Sequence, residues 1–308
     1  MSPKNTKVQR YKFGKEEQRL GYLFILPFTI GFFIFHALPV FVSIVVSTTN
    51  MEFLSNLSNL KFIGLRNFVR LFQDTDVMQA LFRSFTYTIL YVPTIIILGL
   101  FLALLINGQI YAKGFIRTAF FMPYVSNFVA IAIVWSVVLD YKDGIINQTL
   151  RSFGVSNPPL WLMGEKTVIP TIVFIVTWQG VGLFMIVYLA ALQNVPKELY
   201  EAANIDGANF REKFIHITLP MISPTTFFCI VTAIITSFQN FGPIQVLTKG
   251  GPGQASTTLG INIYLETFSN YRMGYATAQA IVLFVIILIF TIIQWNSQKR
   301  WVNYASSL

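Results

Sequence analysis

Residues 197–220 read KELYEAANIDGANFREKFIHITLP, a polar stretch between two long apolar segments. Its pattern predicts two short helices joined at Gly207, because glycine suits the left-handed position that follows a helix end. The first helix is expected to open near Asn194 to Pro196, where Asn can cap and Pro is accepted in a first turn. Glu198 and Glu201 then lie close to the positive end of the helix dipole.

The second short helix has its own start and stop signals. Asn209 and Glu212 stand three residues apart, the spacing of a capping box. Pro220 disfavours helical geometry at Leu219, so the sequence predicts that this helix ends there. An apolar stripe at helical spacing lies between the two signals. Its members are Phe210, Phe214 and Ile217.

The composition of the chain is that of a membrane protein. Of its 308 residues 54% are hydrophobic and only 11% are charged, with a mean hydropathy of +0.61, whereas soluble domains carry roughly 25% charged residues. The net charge of +9 is typical of basic ends near anionic lipid. We find no nucleic-acid-reading motif, so no nucleic-acid partner is expected. Cys229 is the only cysteine, which excludes an intrachain disulfide.

Six apolar runs divide the chain and predict an all-α polytopic membrane protein. Each run is near the roughly 20 residues that a helix needs to cross a bilayer. A basic tail, 1–19, precedes the permease domain, 20–295, and a short tail, 296–308, follows it. The predicted spans are 20–46, 85–106, 118–139, 168–192, 222–241 and 276–295.

The basic residues predict the orientation of these spans. With the N-terminus inside, the inner segments hold about 13 of the 22 Lys and Arg residues, in fewer residues than the outer segments use for the rest. Both termini and residues 197–220 are then cytoplasmic, in the cytoplasmic membrane of a bacterial cell. The second short helix and its neighbour therefore face the cytosol.

Uncharged polar and aromatic side chains cluster inside three of the spans. Amides and hydroxyls beside aromatic rings suit a sugar, whose hydroxyl groups need donors and acceptors and whose C–H faces pack on rings. The alternative is that these groups only hold neighbouring helices together, as is common in membrane bundles. The candidate path residues are Tyr124 and Asn127, then Trp178, Gln179 and Gly180, then Ser237, Phe238, Gln239 and Asn240.

The quoted stretch resembles a known signature. The run Glu201-Ala202-Ala203, three residues, Gly207, nine residues, then Ile217-x-Leu219-Pro220 resembles the cytoplasmic loop of ABC importer permeases. The resemblance implies the six-helix type I importer permease fold and a coupling helix that docks in an ATPase subunit. The coupling residues that it implies are Glu198, Glu201, Ala202, Ala203, Asp206, Gly207, Phe210, Ile217, Leu219 and Pro220.

A second stretch narrows the resemblance to carbohydrate importers. Residues 241–252, FGPIQVLTKGGP, break a helix by their Gly and Pro content and resemble the same stretch of maltose-type permeases. The resemblance implies an outer loop that contacts an extracellular binding protein, and a sugar or oligosaccharide as substrate. The residues of that contact loop are Thr248, Gly250, Gly251 and Pro252.

The energy source is expected on another chain. No G-x-x-x-x-G-K-[ST] phosphate loop and no metal-spaced His, Cys or carboxylate cluster occurs in the sequence. We therefore expect a non-catalytic subunit that binds no cofactor itself. The resemblance implies that two partner ATPase subunits use ATP and Mg, and that a second permease, an extracellular solute-binding protein and membrane lipid complete the assembly.

Three other functions remain open at this stage. Within the importers, the substrate could be a phosphorylated polyol such as a glycerol phosphate ester, although the spans supply no basic group for its phosphate. A secondary transporter or channel would need no ATPase, but it usually carries intramembrane charge. A scaffold or receptor that does not transport is the third alternative.

Overall fold

The structure is a bundle of helices that fits the all-α expectation. The computed structural model describes residues 14–52, 60–108 and 111–303. Within these ranges the only β pairing is an isolated bridge between Thr49 and Phe62. Most of the basic tail 1–19 and the last five residues of the predicted tail 296–308 lie outside the described residues.

Fifteen α-helices can be delimited within the described residues. Three five-residue π-helical segments accompany them: Phe33–Ala37 and Phe214–Thr218 each join two α-helices without a break, and Leu265–Ser269 extends α14. In chain order the helices are α1 (Lys15–Phe32), α2 (Leu38–Ser47), α3 (Arg66–Gln73), α4 (Thr75–Asn107), α5 (Lys113–Val125), α6 (Phe128–Val138), α7 (Ile145–Ser152), α8 (Val168–Gln193), α9 (Lys197–Ile205), α10 (Phe210–Lys213), α11 (Leu219–Met221), α12 (Ser223–Phe238), α13 (Gly242–Leu247), α14 (Leu259–Tyr264) and α15 (Met273–Trp301).

Four helices among the described residues are long and apolar enough to cross a membrane. They are the continuous helix Arg19–Ser47, α4, α8 and α15, and two bent helix pairs raise the number to six if each pair is one span. Helix α4 begins at Thr75, well before the predicted start at residue 85, because Asp74 caps it through the N–H groups of Asp76 and Val77. Helix α15 likewise extends beyond the predicted 276–295 at both ends.

The third predicted span, 118–139, is not one straight helix. Helices α5 and α6 meet at an angle of 98°, with Ser126 and Asn127 extended between them. The Asn127 side chain accepts a hydrogen bond of 2.8 Å from the N–H of Val129 and so starts a new helix. Mean hydropathy over the run does not reveal such a break, although Ser126 and Asn127 are polar.

The fifth predicted span, 222–241, is shorter and bent. Helix α12 covers Ser223–Phe238, and it meets the preceding helical stretch Phe210–Met221 at 66°. Beyond Phe238 the chain leaves helical geometry before α13 starts at Gly242. The predicted boundary at Leu219 is wrong, because Leu219 keeps helical angles of φ −60° and ψ −46°.

Helices α4 and α8 form the centre of the bundle. They approach closely at Gly99, where an added Cβ would lie 2.8 Å from the Cβ of Phe184. Ile95 and Met185 from the two helices are fully buried there. Helix α5 also lies against α8, at Gly182, where an added Cβ would overlap the carbonyl oxygen of Phe120.

The two ends of the bundle can be told apart by their contacts. We call the near end the one where Asn303 donates to the Ser223 hydroxyl at 2.9 Å, since α15 ends and α12 begins there. At the opposite, far end the N–H of Gly274 donates to the carbonyl oxygen of Met51 at 2.8 Å. The loop of residues 197–220 therefore belongs to the near end, next to the start of α12.

Candidate functional site

The near-end loop has the two-helix form that its sequence predicts. Helices α9 and α10 are separated by Gly207, whose φ of +75° is left-handed. The N–H of Ala208 reaches back to the carbonyl oxygen of Ala203 at 2.9 Å, which closes the end of α9 as in a glycine C-cap. The turn is therefore made by backbone hydrogen bonds that need glycine.

The capping box of α10 is present. The Asn209 side chain accepts from the N–H of Glu212 at 3.0 Å, and a Glu212 carboxylate oxygen accepts from the N–H of Asn209 at 2.8 Å. The expected cap of α9 is absent. Its N-cap is Pro196, without a side-chain hydrogen bond, and Asn194 instead ends α8.

We expect Asn209→Ala to loosen α10 without unfolding the bundle. Loss of an N-cap side chain costs about 1 kcal/mol, so amide hydrogen exchange in residues 210–214 should rise about fivefold. Asn209→Ser, which keeps a capping oxygen, serves as the control and should leave the exchange rate near that of the wild type. Equal rates in the two variants would contradict a stabilising capping box.

Side-chain contacts fix the loop to the bundle. The hydroxyls of Tyr200 and Thr218 lie 2.9 Å apart, and Lys213 Nζ donates to the side-chain oxygen of Asn204 at 2.8 Å. The first contact joins α9 to the helical stretch that continues into α12. The second joins the two short helices across the Gly207 turn, so the loop is one compact unit.

The outer surface of this loop carries both charge and large apolar groups. Ile205 is 88% exposed and Phe210 76% exposed, although both are apolar. Phe210 stacks on Phe214 at 6.3 Å, and Phe214 and Ile217 are half-buried against the bundle. Sequence reasoning missed Ile205, which holds no fixed position in the signature, although an isoleucine among charged residues at a turn is the signal that marks it.

The remaining predicted coupling residues also divide into exposed and half-buried ones. Exposed side chains are available to a partner, whereas half-buried ones pack towards the bundle. The exposed members are Glu198, Glu201, Ala202, Asp206 and Gly207, and the half-buried members are Ala203, Leu219 and Pro220.

A cavity of about 490 Å³ lies between α4, α5 and α8. Trp178, one of the predicted path residues, lines it and is 41% exposed. Thr177, its neighbour, is almost completely buried, and its hydroxyl has no hydrogen-bond partner among the residues that the structure describes. The other lining residues, all uncharged, are Leu90, Thr94, Leu98, Phe101, Leu102, Phe120, Pro170, Val173, Phe174 and Val181.

This lining consists mainly of aromatic and aliphatic side chains. The Trp178 ring is held edge-on by Trp135 at 5.5 Å, which fixes its orientation. The Thr177 hydroxyl is itself enclosed by protein, so the described lining offers aromatic and aliphatic surface and no charge. The cavity can therefore take an uncharged molecule with apolar faces.

The predicted residues at the end of α12 do not share one environment. Ser237 and Phe238 are buried in the packing between helices: the Ser237 hydroxyl lies 2.9 Å from that of Thr88, and the Phe238 ring packs 5.4 Å from that of Phe85. Gln239, in contrast, is exposed. The packing of Ser237 and Phe238 argues against direct contact of either side chain with a substrate.

Asn240 contacts a pair of tyrosines that the sequence analysis did not identify as candidates. Its side-chain amide donates to the hydroxyl of Tyr87, a buried residue of α4. Tyr87 stacks on Tyr91 at 5.7 Å, and the Tyr91 hydroxyl lies 3.6 Å from the position of a Cβ on Gly180. Gly180 therefore lies beside the Tyr91 hydroxyl, and only the fold could reveal this pairing.

The predicted residues of the third span lie at its break. Tyr124 is 45% exposed and contacts Phe121 at 5.6 Å, and the exposed Asn127 caps α6. Gln179 is half-buried on α8. Irregular backbone at membrane depth is tolerated where it lines a cavity or is buried in protein, so this break and the one after Phe238 favour a role in the path.

The far-end loop is a compact turn built on glycine. Gly250 has a φ of +90°, and an added Cβ there would lie 2.6 Å from Thr257 Oγ1. The hydroxyls of Thr248 and Ser256 lie 2.7 Å apart and brace the turn. Gly251 and Pro252 are half-buried beside them.

This loop borders a second cavity of about 390 Å³. Tyr141 and Trp161 line it, together with the carboxylate of Asp140. Backbone N–H groups of Asp143 and Lys142 donate to Asp140, which holds the pKa of that carboxyl below its usual value. The rim therefore stays negatively charged around neutral pH.

Among the residues that the structure describes, no three His, Cys, Asp or Glu side chains are placed to hold a metal ion. The candidate site thus consists of three parts: a near-end loop with exposed apolar tips, an uncharged cavity between α4, α5 and α8, and a far-end loop.

Comparison with known proteins identifies a family to which this chain is similar. The family described as "Binding-protein-dependent transport system inner membrane component" matches residues 75–303. The probable ABC transporter permease protein YesP of Bacillus subtilis is 35% identical over 296 residues, which cover 95% of this chain and 94% of the relative. The arabinooligosaccharides transport system permease protein AraP of the same organism is 33% identical over 276 residues, 88% of this chain and 86% of AraP.

A solved structure shares the fold. A chain of a bacterial alginate ABC transporter, in complex with an alginate pentasaccharide-bound periplasmic protein, superposes with a TM-score of 0.80 at 26% identity, covering 92% of this chain and 95% of that chain. The fold is therefore that of an ABC transporter permease subunit. The family match over most of the chain agrees with it, and this protein belongs to the binding-protein-dependent transport system inner membrane components.

Proposed function

We propose that this chain is the permease subunit of an ATP-driven ABC importer that takes up a sugar or an oligosaccharide. The observation that carries the proposal is the presence, on one chain, of a rigid exposed near-end loop and an uncharged, aromatic cavity. The substrates named for AraP and for the alginate transporter support a saccharide. A secondary transporter has no evident use for such a loop.

The near-end loop is the proposed contact with an ATPase subunit. Its exposed apolar tips, Ile205 and Phe210, would enter a cleft of that subunit, and Glu198, Glu201 and Asp206 would surround them with charge. Two such ATPase subunits, which use ATP and Mg, would drive this chain and a second, homologous permease. Both termini are then cytoplasmic, in agreement with the distribution of basic residues.

The far-end loop is the proposed contact with an extracellular solute-binding protein. Its turn, residues 248–252, is braced internally and needs no partner to keep its shape. A preformed loop loses little conformational entropy on binding, which favours docking. The solute would then pass to the cavity at Trp178.

The cavity favours a neutral solute over a phosphorylated one. The described residues that line it include no charged side chain, whereas a phosphate group calls for Arg, Lys or backbone N–H donors. A glycerol phosphate ester would therefore need basic groups from the second permease. Trp178, Tyr124 and Gln239 are the proposed sugar contacts of this chain.

Reconstitution in lipid vesicles tests this function. The permease pair, its ATPase subunits and the solute-binding protein are assembled in vesicles, and uptake of radiolabelled oligosaccharides and of glycerol 3-phosphate is measured with and without ATP. We expect uptake of a saccharide that requires both ATP and the binding protein. Uptake without ATP would indicate a secondary transporter, ATP-dependent uptake of the phosphate ester alone would contradict the sugar assignment, and no uptake at all would favour a scaffold.

We expect Trp178→Ala and Gln239→Ala each to slow sugar uptake without impairing assembly. A lost ring contact or hydrogen bond costs about 1–1.5 kcal/mol, so uptake at saturating binding protein should fall roughly five- to twelvefold. Gln193→Ala, at an exposed amide at the near end of α8, is the control and should transport normally. If all three variants transport equally, Trp178 and Gln239 do not line the path.

A further inference from the structure

Helix α3 (Arg66–Gln73) lies at the far end of the bundle, between two membrane spans. The first span ends at Ser47, and α4 starts at Thr75, directly after α3. The Asn67 side-chain amide donates to the carbonyl oxygens of Ser47 and Thr49 at 2.8 and 2.9 Å. The helix is therefore held to the end of one span and separated from the start of the next by the extended residue Asp74 alone.

The side chains of α3 and its N-cap Leu65 divide into three faces. Asn67 and Leu71 are buried, 7% and 1% exposed, and form the face on the protein. Leu65, Val69 and Phe72 are 69%, 55% and 62% exposed. Because residues three and four apart share one side of a helix, these three form a single exposed apolar stripe.

The third face is polar. Arg66 and Gln73 are exposed, and the spacing places them on the side of the helix away from Leu71. Arg70 is exposed as well, with its guanidinium 4.5 Å above the ring of Tyr275. The apolar stripe therefore runs between the protein face and an arginine-bearing face, the order required of a helix at a membrane surface.

We propose that α3 lies in the membrane surface at the far end, with Leu65, Val69 and Phe72 among the lipid acyl chains. Its position is the argument: both neighbouring segments are spans, and Asn67 holds the helix where the first span ends. At that level the exposed stripe meets the boundary between headgroups and hydrocarbon, and Arg66 faces the lipid phosphates and water. The exposed Phe62, paired with Thr49, extends the apolar surface.

Spin-label accessibility in the assembled transporter tests this placement. The background is Cys229→Ser, which removes the only cysteine of this chain, with partner subunits that carry no cysteine. Val69→Cys and Phe72→Cys report on the apolar stripe, and Arg66→Cys is the matched control on the polar face of the same helix. In lipid nanodiscs, collisions of each label with oxygen, which enters lipid, are compared with collisions with a water-soluble nickel chelate.

We expect labels at residues 69 and 72 to collide at least severalfold more often with oxygen than with the nickel chelate. At residue 66 we expect collisions with the nickel chelate to be the more frequent. Nickel access at residue 69 equal to that at residue 66 would overturn the proposal, since the stripe would then face water. The readout is repeated after adding the solute-binding protein. Immobilised labels with little access to either reagent would also overturn the proposal, because they would indicate that protein covers the stripe. If the labels become immobilised only after the solute-binding protein is added, that protein is the cover. If they are immobilised before its addition, the second permease is the cover.

Discussion

Replacing Gly207 by valine is expected to abolish most transport while the protein remains folded in the membrane. Gly207 has a φ of +75°, and among the described residues no atom lies within 4 Å of the position that a Cβ would take. The penalty is therefore one of backbone conformation, about 1–3 kcal/mol for a β-branched residue held at positive φ. The turn between α9 and α10 can relieve it by opening, which moves Ile205 relative to Phe210.

The measurement is uptake by reconstituted transporter, together with the stimulation of ATP hydrolysis by loaded binding protein. We expect uptake to fall at least tenfold and the stimulation to disappear. Gly207→Asn, which tolerates left-handed geometry, should keep most activity. Gly154→Val is the matched control, because Gly154 has a φ of +88° in equally open space but lies in another loop; it should transport normally, whereas normal transport by Gly207→Val would remove the loop from the coupling role.

Gly182→Ala is expected to damage the fold itself. A Cβ on Gly182 would overlap the carbonyl oxygen of Phe120 and lie 2.8 Å from the Cα of Phe121, so the whole of α5 must move away from α8. Overpacking of a well-packed core typically costs 1–3 kcal/mol, occasionally more, and backbone atoms cannot relieve it by changing a rotamer. We expect the variant at the upper end of that range or above it.

The yield of monodisperse protein after detergent extraction and its thermal aggregation temperature measure this effect. Both should fall clearly for Gly182→Ala. Gly180→Ala, in the same helix, is the control: its Cβ would meet only the ends of two side chains, Ile95 at 3.2 Å and Tyr91 at 3.6 Å. It should fold normally. Two variants of equal stability would mean that α5 is not held against α8 at Gly182.

The near-end loop could be predicted from sequence because its determinants are local. The Gly207 turn and the capping box of Asn209 and Glu212 depend on residues within a few positions of each other. Two local rules failed where packing decided instead. Leu219 remains helical in spite of Pro220, since the helical stretch continues into the bundle, and Asn194 ends α8 rather than capping α9.

The breaks of the third and fifth spans depend on distant contacts. Residues 118–139 are uncharged and mostly apolar, and the 98° bend between α5 and α6 reflects the docking of α5 on Gly182 as well as the cap at Asn127. Hydropathy reports which residues can enter lipid, not where a helix starts, so it also missed the ten residues by which α4 extends to Thr75.

The residues of the candidate path could be predicted only in part, because their environments also depend on distant contacts. Trp178 and Gln239 could be chosen from residue type, but Ser237 and Phe238, of equally suitable type, are engaged in packing. Tyr87 and Tyr91 look like ordinary apolar-run residues until the fold brings Asn240 and Gly180 against them. The chemistry of the residues identifies candidates from the sequence. The packing of α4, α8 and α12 then shows which of them are free to contact a substrate.

The contact between the hydroxyls of Tyr200 and Thr218 has a mechanical consequence. Thr218 belongs to the helical stretch Phe210–Met221, which meets α12 at a bend of 66°. A displacement imposed on α9 would therefore reach the interior through this bend. The bend is braced by the Ser223 hydroxyl, which donates to the carbonyl oxygen of Pro220 and accepts from the N–H of Asn303, so the segment just after α15 helps to set the angle at which that motion enters α12.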